Sequence, residues 1–271
     1  MIGAIVGDII GSRFEFDNYR SKDFKLFTKD SEFTDDTVMT VALADWCNLD
    51  RQKGESRLIS HYVLWYNKYP NVTYGAGFRQ WIEEIKNQPW TEWKQRNSYG
   101  NGSAMRISPI AWASEFDVEN LKLGVRWATR YSHGHPEGIK GAEAVAMLIQ
   151  KAFTDKNKNS LKDFIVDKYG YNLNRTVAYL QDNYKYNETC QKTVPEAIIC
   201  FLESTDFEDA IRNAVSIGGD SDTVACITGS IAEAYYGSIP KNIIKETFKR
   251  LPKEILQVIS NFVADNYRIN D

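Results

Sequence analysis

Histidine and cysteine are scarce in this 271-residue chain, at three and four copies. Cys47, Cys190, Cys200 and Cys226 are widely spaced and form no CxxC pair. They read as reduced core thiols and point to a cytoplasmic protein. Two of the three histidines, His133 and His135, share one short loop, so a histidine-rich zinc site is not expected. An excess of charge of one sign is missing as well: 33 Lys and Arg stand against 36 Asp and Glu, a net charge of -3. That balance argues against a general electrostatic grip on nucleic acid. It leaves room for a phosphorylated ligand held by a metal or by helix N-termini. No uncharged apolar run approaches the roughly 20 residues that span a bilayer. The opening Met1-Ile2-Gly3-Ala4-Ile5-Val6-Gly7-Asp8 lacks a basic segment and is interrupted by Asp8, unlike a signal peptide. Strand-like alternation is almost absent, and no shift in composition marks a linker. The expectation is an all-α protein with one domain over residues 1–271. No long apolar surface repeat stands out, which favours a monomer.

What the chain has instead is oxygen, concentrated in two places. Ser216-Ile217-Gly218-Gly219-Asp220-Ser221-Asp222-Thr223 sets two carboxylates and two hydroxyls directly after a glycine pair, ahead of a helix in which Val224, Ile227 and Ile231 share an apolar face. Asp220 or Ser221 can cap that helix, but capping needs only one of these oxygens. Thr34-Asp35-Asp36-Thr37 opens a second helix in the same way, with Thr34 or Asp35 as the natural cap. Adjacent carboxylates repel unless a cation lies between them. Four such acids neutralise two divalent cations, and an oxygen-only donor set suits magnesium or manganese rather than zinc or copper.

Other stretches supply context. Gly3, Gly7 and Gly11 line one face of an N-terminal helix and allow a neighbouring helix to approach closely. The lysine of a phosphate loop is absent there. Glu15 follows, and its plainest reading is a solvated acid between two core aromatics, Phe14 and Phe16. Ser98-Tyr99-Gly100-Asn101-Gly102-Ser103-Ala104-Met105-Arg106 is a glycine-rich loop running into a helix that Pro109 is expected to kink; its amides suit a phosphate. Further helices are expected over 54–68, 76–86, 117–131, 136–149, 194–201, 210–215, 241–249 and 253–267. Residues 151–192 read as surface helices and loops, with acids interleaved among the lysines.

Taken together, Gly7-Asp8-x-x-Gly11-Ser12-x-x-Glu15, Phe33-Thr34-Asp35-Asp36-Thr37, the Ser98–Arg106 loop and Gly218-Gly219-Asp220-Ser221-Asp222-Thr223 resemble the ADP-ribosylglycohydrolase family, in that family's order and approximate spacing. The resemblance implies a compact orthogonal helical bundle with a binuclear magnesium or manganese cleft. It implies Thr34, Asp35, Asp36, Asp220, Asp222 and Thr223 as metal ligands, and Glu15 beside them on a movable loop. Ser98, Tyr99, Gly100, Asn101 and Gly102 then take the diphosphate and adenosine side. Trp93 is the aromatic for adenine stacking, and Ser132-His133 the hydroxyl–histidine pair at the cleft. Glu15 and Asp35 are the candidates for proton transfer. The implied partner is an ADP-ribosylated protein or a small ADP-ribose conjugate, with arginine as the default acceptor. Serine, O-acetyl and nucleobase linkages, a non-catalytic ADP-ribose-binding module and a two-metal phosphohydrolase are the alternatives.

Overall fold

The computed structural model describes residues 1–114 and 117–267; Glu115, Phe116 and residues 268–271, all within the expected 1–271 domain, lie outside the described residues. Fifteen α-helices appear among the described residues: α1 (Ile2–Gly11), α2 (Asp35–Leu49), α3 (Glu55–Lys68), α4 (Ala76–Ile85), α5 (Gly102–Met105), α6 (Ser108–Ala113), α7 (Val118–Thr129), α8 (Pro136–Ala152), α9 (Lys158–Tyr169), α10 (Val177–Asn183), α11 (Cys190–Leu202), α12 (Phe207–Ser216), α13 (Ser221–Tyr236), α14 (Lys241–Phe248) and α15 (Lys253–Asn266). Among those residues the only β-type pairing is an isolated bridge between Gly100 and Thr189.

The fold is built around α13. Every residue from Ser221 to Ala234 is buried, with α1, α5, α8, α11 and α12 packed about it. The single apolar face expected from Val224, Ile227 and Ile231 is therefore too narrow a description. The polar residues between them go inside because their hydroxyls find backbone acceptors: Thr228 donates to the Ala197 carbonyl at 3.0 Å and Ser230 to that of Ile227 at 2.7 Å.

The glycine stripe of α1 does what its spacing requires. α1 runs antiparallel to α13 with backbone against backbone: a Cβ at Gly3 would lie 2.2 Å from the Gly229 carbonyl oxygen, one at Gly7 2.0 Å from that of Ala225, and one at Gly11 2.6 Å from the Asp222 Cα. No side chain fits between the two helices, so the end of α1 is held beside the start of α13. Two local expectations change. Pro109 does not kink a helix; it sits in the first turn of α6, where its missing N–H costs nothing. Phe16 is 76% exposed rather than a core aromatic. In 151–192, α9 and α10 bury Leu161, Ile165, Val177 and Leu180 as predicted for surface helices, but the segment that follows reaches the site.

Candidate functional site

Thr34 caps α2 with its hydroxyl, which accepts from the Asp36 N–H at 3.3 Å. What fixes that first turn in space is Asp8 of α1. Asp8 is fully buried and accepts from the Thr34 N–H at 2.9 Å, the Thr34 hydroxyl at 2.7 Å, the Thr37 N–H at 3.0 Å and the Thr37 hydroxyl. Burial pushes its carboxyl up to about 6, against the pull of those hydrogen bonds. With both oxygens engaged, Asp8 grips α2 rather than the cleft. Thr34 keeps one lone pair after these commitments.

Asp220 stands at the N-cap position of α13, yet its side chain makes no capping bond. It turns instead to Asn101, whose amide donates to it at 2.6 Å. The turn that delivers it uses Gly218 and Gly219 in succession at φ +70° and +78°, a left-handed pair that other residues adopt only with strain. Asn18 reads both sides of that turn, donating to the Gly219 carbonyl at 2.8 Å and accepting its N–H at 2.7 Å. Arg20 extends the tether: its guanidinium donates to the carbonyls of Ile217 at 2.7 Å, Gln181 at 2.6 Å and Tyr184 at 2.7 Å.

These arrangements bring Glu15, Asp35, Asp36, Asp220, Asp222 and Thr223 to the floor of one cleft of about 430 Å³, whose wall also carries Ser98, Gly100, Asn101, Gly102 and His133. One carboxylate oxygen from each of Glu15, Asp220 and Asp222 lies within 4.8 Å of the other two. Thr223 donates to Asp36 Oδ2 at 3.2 Å, while Asp36 Oδ1 is buried without a hydrogen-bond partner. Burial, then the charges of its neighbours, drives each of Asp35, Asp36 and Asp222 well above the ordinary carboxylate range. Burial and Asp220 push Glu15 to about 7. Such a cluster cannot ionise fully without a positive partner.

Three predicted residues, Thr34, Trp93 and Tyr99, are not among those lining the cleft; the Thr34 hydroxyl is engaged with Asp8 and the Asp36 N–H behind it. The Trp93 ring meets Tyr131 edge-on at 6.0 Å and its indole N–H donates to the Gln88 carbonyl at 3.1 Å. Tyr99, half exposed, stands edge-on to His135 at 5.2 Å, on a shallower face that shares Ser98, Gly100 and Glu188 with the cleft. Asn101 is in place, but its amide serves Asp220 and Thr193.

The structure adds residues that the sequence did not single out. Tyr74 and Phe78 form part of the wall, Arg106 lies behind His133, and Phe16, Tyr186 and Glu188 frame the mouth. Phe16 and Tyr186 stack at 6.5 Å, and the Tyr186 hydroxyl donates to Glu188 at 2.9 Å. Residues 188–190 are zipped to the Ser98–Arg106 loop by Asn101 N–H to the Glu188 carbonyl at 2.8 Å and Cys190 N–H to that of Tyr99 at 2.9 Å. An acid inside an apolar helix was the available signal for Asp8; the mouth carried none.

Comparison with known proteins agrees with this geometry. ADP-ribosylhydrolase ARH3 of Homo sapiens is 24% identical over 308 aligned positions, covering 88% of this chain and 84% of that protein. ADP-ribosyl-[dinitrogen reductase] glycohydrolase of Rhodospirillum rubrum is 22% identical, covering 97% and 94%. A solved structure described as an ADP-ribosylglycohydrolase-related protein complex superposes with a TM-score of 0.73 at 24% identity, covering 97% of this chain and 95% of the other, and so shares the fold. The sequence profile described as ADP-ribosylglycohydrolase matches residues 1–268. The chain belongs to the ADP-ribosylglycohydrolase family.

Proposed function

We propose that this protein hydrolyses the glycosidic bond between ADP-ribose and a modified acceptor, with ADP-ribosyl-arginine on protein as its substrate, and so reverses ADP-ribosylation. The observation that carries this reading is the convergence of five carboxylates on one cleft floor in a chain of this family. The donor set suits hard divalent cations: it is oxygen only, crowded with like charge, and includes a buried Asp36 oxygen with no partner. Thr34, Asp35, Asp36, Asp220, Asp222 and Thr223 would hold two magnesium ions, or manganese in their place. Bound there, such ions polarise ribose hydroxyls and a water beside the anomeric carbon.

The chain's own residues supply the rest. The Ser98–Gly102 loop and His133 bind the diphosphate side and orient the ribose over the floor. Cleavage passes through an oxocarbenium-like state, whose positive charge the surrounding carboxylates stabilise. Glu15 or Asp35 carries the proton. At the mouth, the Phe16–Tyr186 pair and Glu188 offer aromatic faces next to a carboxylate. A guanidinium uses both, which favours arginine among the acceptors.

The test is ADP-ribose release from defined arginine, serine, O-acetyl and nucleobase linkages, with magnesium and with a chelator, by the wild type and by folded Asp35→Asn and Asp222→Asn. Turnover on the arginine linkage, lost in both variants and in chelator, is expected. Unchanged turnover in both variants would sink the two-metal assignment. Phosphate in place of ADP-ribose as product would make the protein a phosphohydrolase.

A further inference from the structure

Arg106 is fully buried, and among the described residues no carboxylate pairs with it. Its guanidinium lies over the rings of Tyr62 at 4.7 Å and Phe78 at 5.5 Å. Its Nε and Nη1 are buried without partners. Only Nη2 is engaged, donating to the Ala128 carbonyl at 2.9 Å and to Ser132 Oγ at 2.6 Å, and standing 3.4 Å from His133 Nδ1. A buried cation with so few partners needs a reason beyond packing.

We propose that Arg106 is a positioning residue which, through Ser132, holds the His133 ring with its single proton on Nε2, so that the cleft meets a neutral hydrogen-bond donor there. A guanidinium can only donate, so the Ser132 oxygen accepts from it. The remaining neighbour of that hydroxyl is His133 Nδ1 at 2.9 Å, and the hydroxyl proton goes to it. The hydroxyl donates to Nδ1, and the Arg106 Nη2 group, its two hydrogens directed at Ala128 and Ser132, sets a positive charge 3.4 Å from the same atom; both favour a lone pair on Nδ1, and the ring proton resides on Nε2. Nε2 has no hydrogen-bond partner among the described residues. A Cβ would come within 3.2 Å of it at Gly102 and 3.5 Å at Gly100; the two glycines leave it open to the cleft. Burial first, then the charges of Arg106 and Arg96, holds the ring well below its ordinary value, so it does not take a second proton. His133 is on this account a fixed donor to an anionic oxygen and not an acid or base. That the oxygen belongs to the diphosphate of ADP-ribose rests on the function proposed above; the tautomer does not.

The ring nitrogens of three histidines are resolvable in ¹⁵N-histidine-labelled, ligand-free protein, with His133→Asn giving the assignment. The wild type should show His133 protonated on Nε2 alone from about pH 5.5 to 8, a window spanning the ordinary histidine value. Arg106→Gln should give mixed tautomers and a ring that titrates higher than in the wild type but still below the ordinary value, since burial and Arg96 remain, and Arg106→Lys should retain most of the lock. Calorimetry with ADP-ribose at the upper pH should show Arg106→Gln about two- to tenfold weaker, because the ligand then draws on only the Nε2–H fraction of a mixed population. Where Arg106→Gln does not fold, Ser132→Ala, a smaller change, should release the tautomer by itself. A wild-type Nδ1–H ring, an ordinary wild-type titration, or an unchanged Nε2–H ring in Ser132→Ala would overturn the proposal. Failure of the wild type to bind ADP-ribose would count against the proposed function while the nitrogen shifts still decide the tautomer.

Discussion

Replacing Gly7 by alanine adds one methyl group where three backbone atoms already stand. The new Cβ would lie 2.0 Å from the Ala225 oxygen, 2.3 Å from its carbonyl carbon and 2.6 Å from the Cys226 nitrogen. An ordinary carbon–oxygen contact is about 3.3 Å, so α1 and α13 must part by roughly 1.3 Å at this point. Neither wall is a side chain that can rotate away. Overpacking in a core costs about 1–3 kcal/mol, and a gap of 0.5–1 Å already forfeits about a quarter to a half of each neighbouring dispersion contact. Against this, alanine is about 1 kcal/mol better than glycine inside a helix. Because the obstruction is backbone, the cost should fall at the upper end, leaving a net loss of at least about 2 kcal/mol. In a chain of this length that lowers Tm by roughly 4–8 °C, measurable by calorimetry or by the urea midpoint. Activity should fall further than stability, since Asp8 rides on α1 and Glu15 follows its displaced end by one short turn over Ser12–Phe14. A Gly7→Ala protein with an unchanged or higher midpoint would refute the packing account.

Asp8→Asn keeps the shape but swaps an acceptor for a donor facing Thr34 and Thr37; a loss of about 2–3 kcal/mol by urea titration and at least tenfold slower ADP-ribose release are expected. Glu188→Gln should lower kcat/KM on ADP-ribosyl-arginine roughly fivefold, the worth of an exposed ion pair, and leave a serine linkage unchanged; equal effects on both would remove Glu188 from acceptor choice. In chelator, Asp8 at about 6 and Glu15 at about 7 sit above their unfolded values near 4. The folded state then binds more protons than the unfolded one, so stability is greatest below pH 4 as far as these two groups are concerned and is lost as pH rises through 6 to 7. Tm scans should show that decline in chelator and its reduction with magnesium; a metal-independent profile would contradict the cation assignment.

The two acidic clusters were legible because each is local: Thr34 to Asp36 and Asp220 to Thr223 lie within one helical turn, and density of oxygen over a few positions is visible in a string. The glycine stripe was legible for the same reason, as a spacing of four. Asp8 was seen but not understood, since its partners stand 26 and 29 positions away. Tyr186 and Glu188 sit in a polar stretch with no periodicity of its own, brought to the cleft by a non-local pairing with Tyr99 to Asn101. Arg106 closed the glycine-rich motif without a reading of its own; only its burial reveals a cation with no counter-charge among the described residues. Phe16 was misread because an aromatic next to Phe14 resembles core, whereas a cleft mouth also exposes rings.

Arg20 joins parts of the protein that an engineer would want to adjust separately. One guanidinium holds Ile217, ahead of the glycine turn, and Gln181 and Tyr184, at the start of the segment that carries the mouth. A lengthened or shortened rim between Tyr184 and Cys190 pulls through this clasp on the turn that sets Asp220. On the proposed function, retuning the protein for another acceptor by loop exchange will therefore drag its carboxylate floor along, and grafts that leave Arg20 and the carbonyls it holds in register are the ones that should keep their turnover.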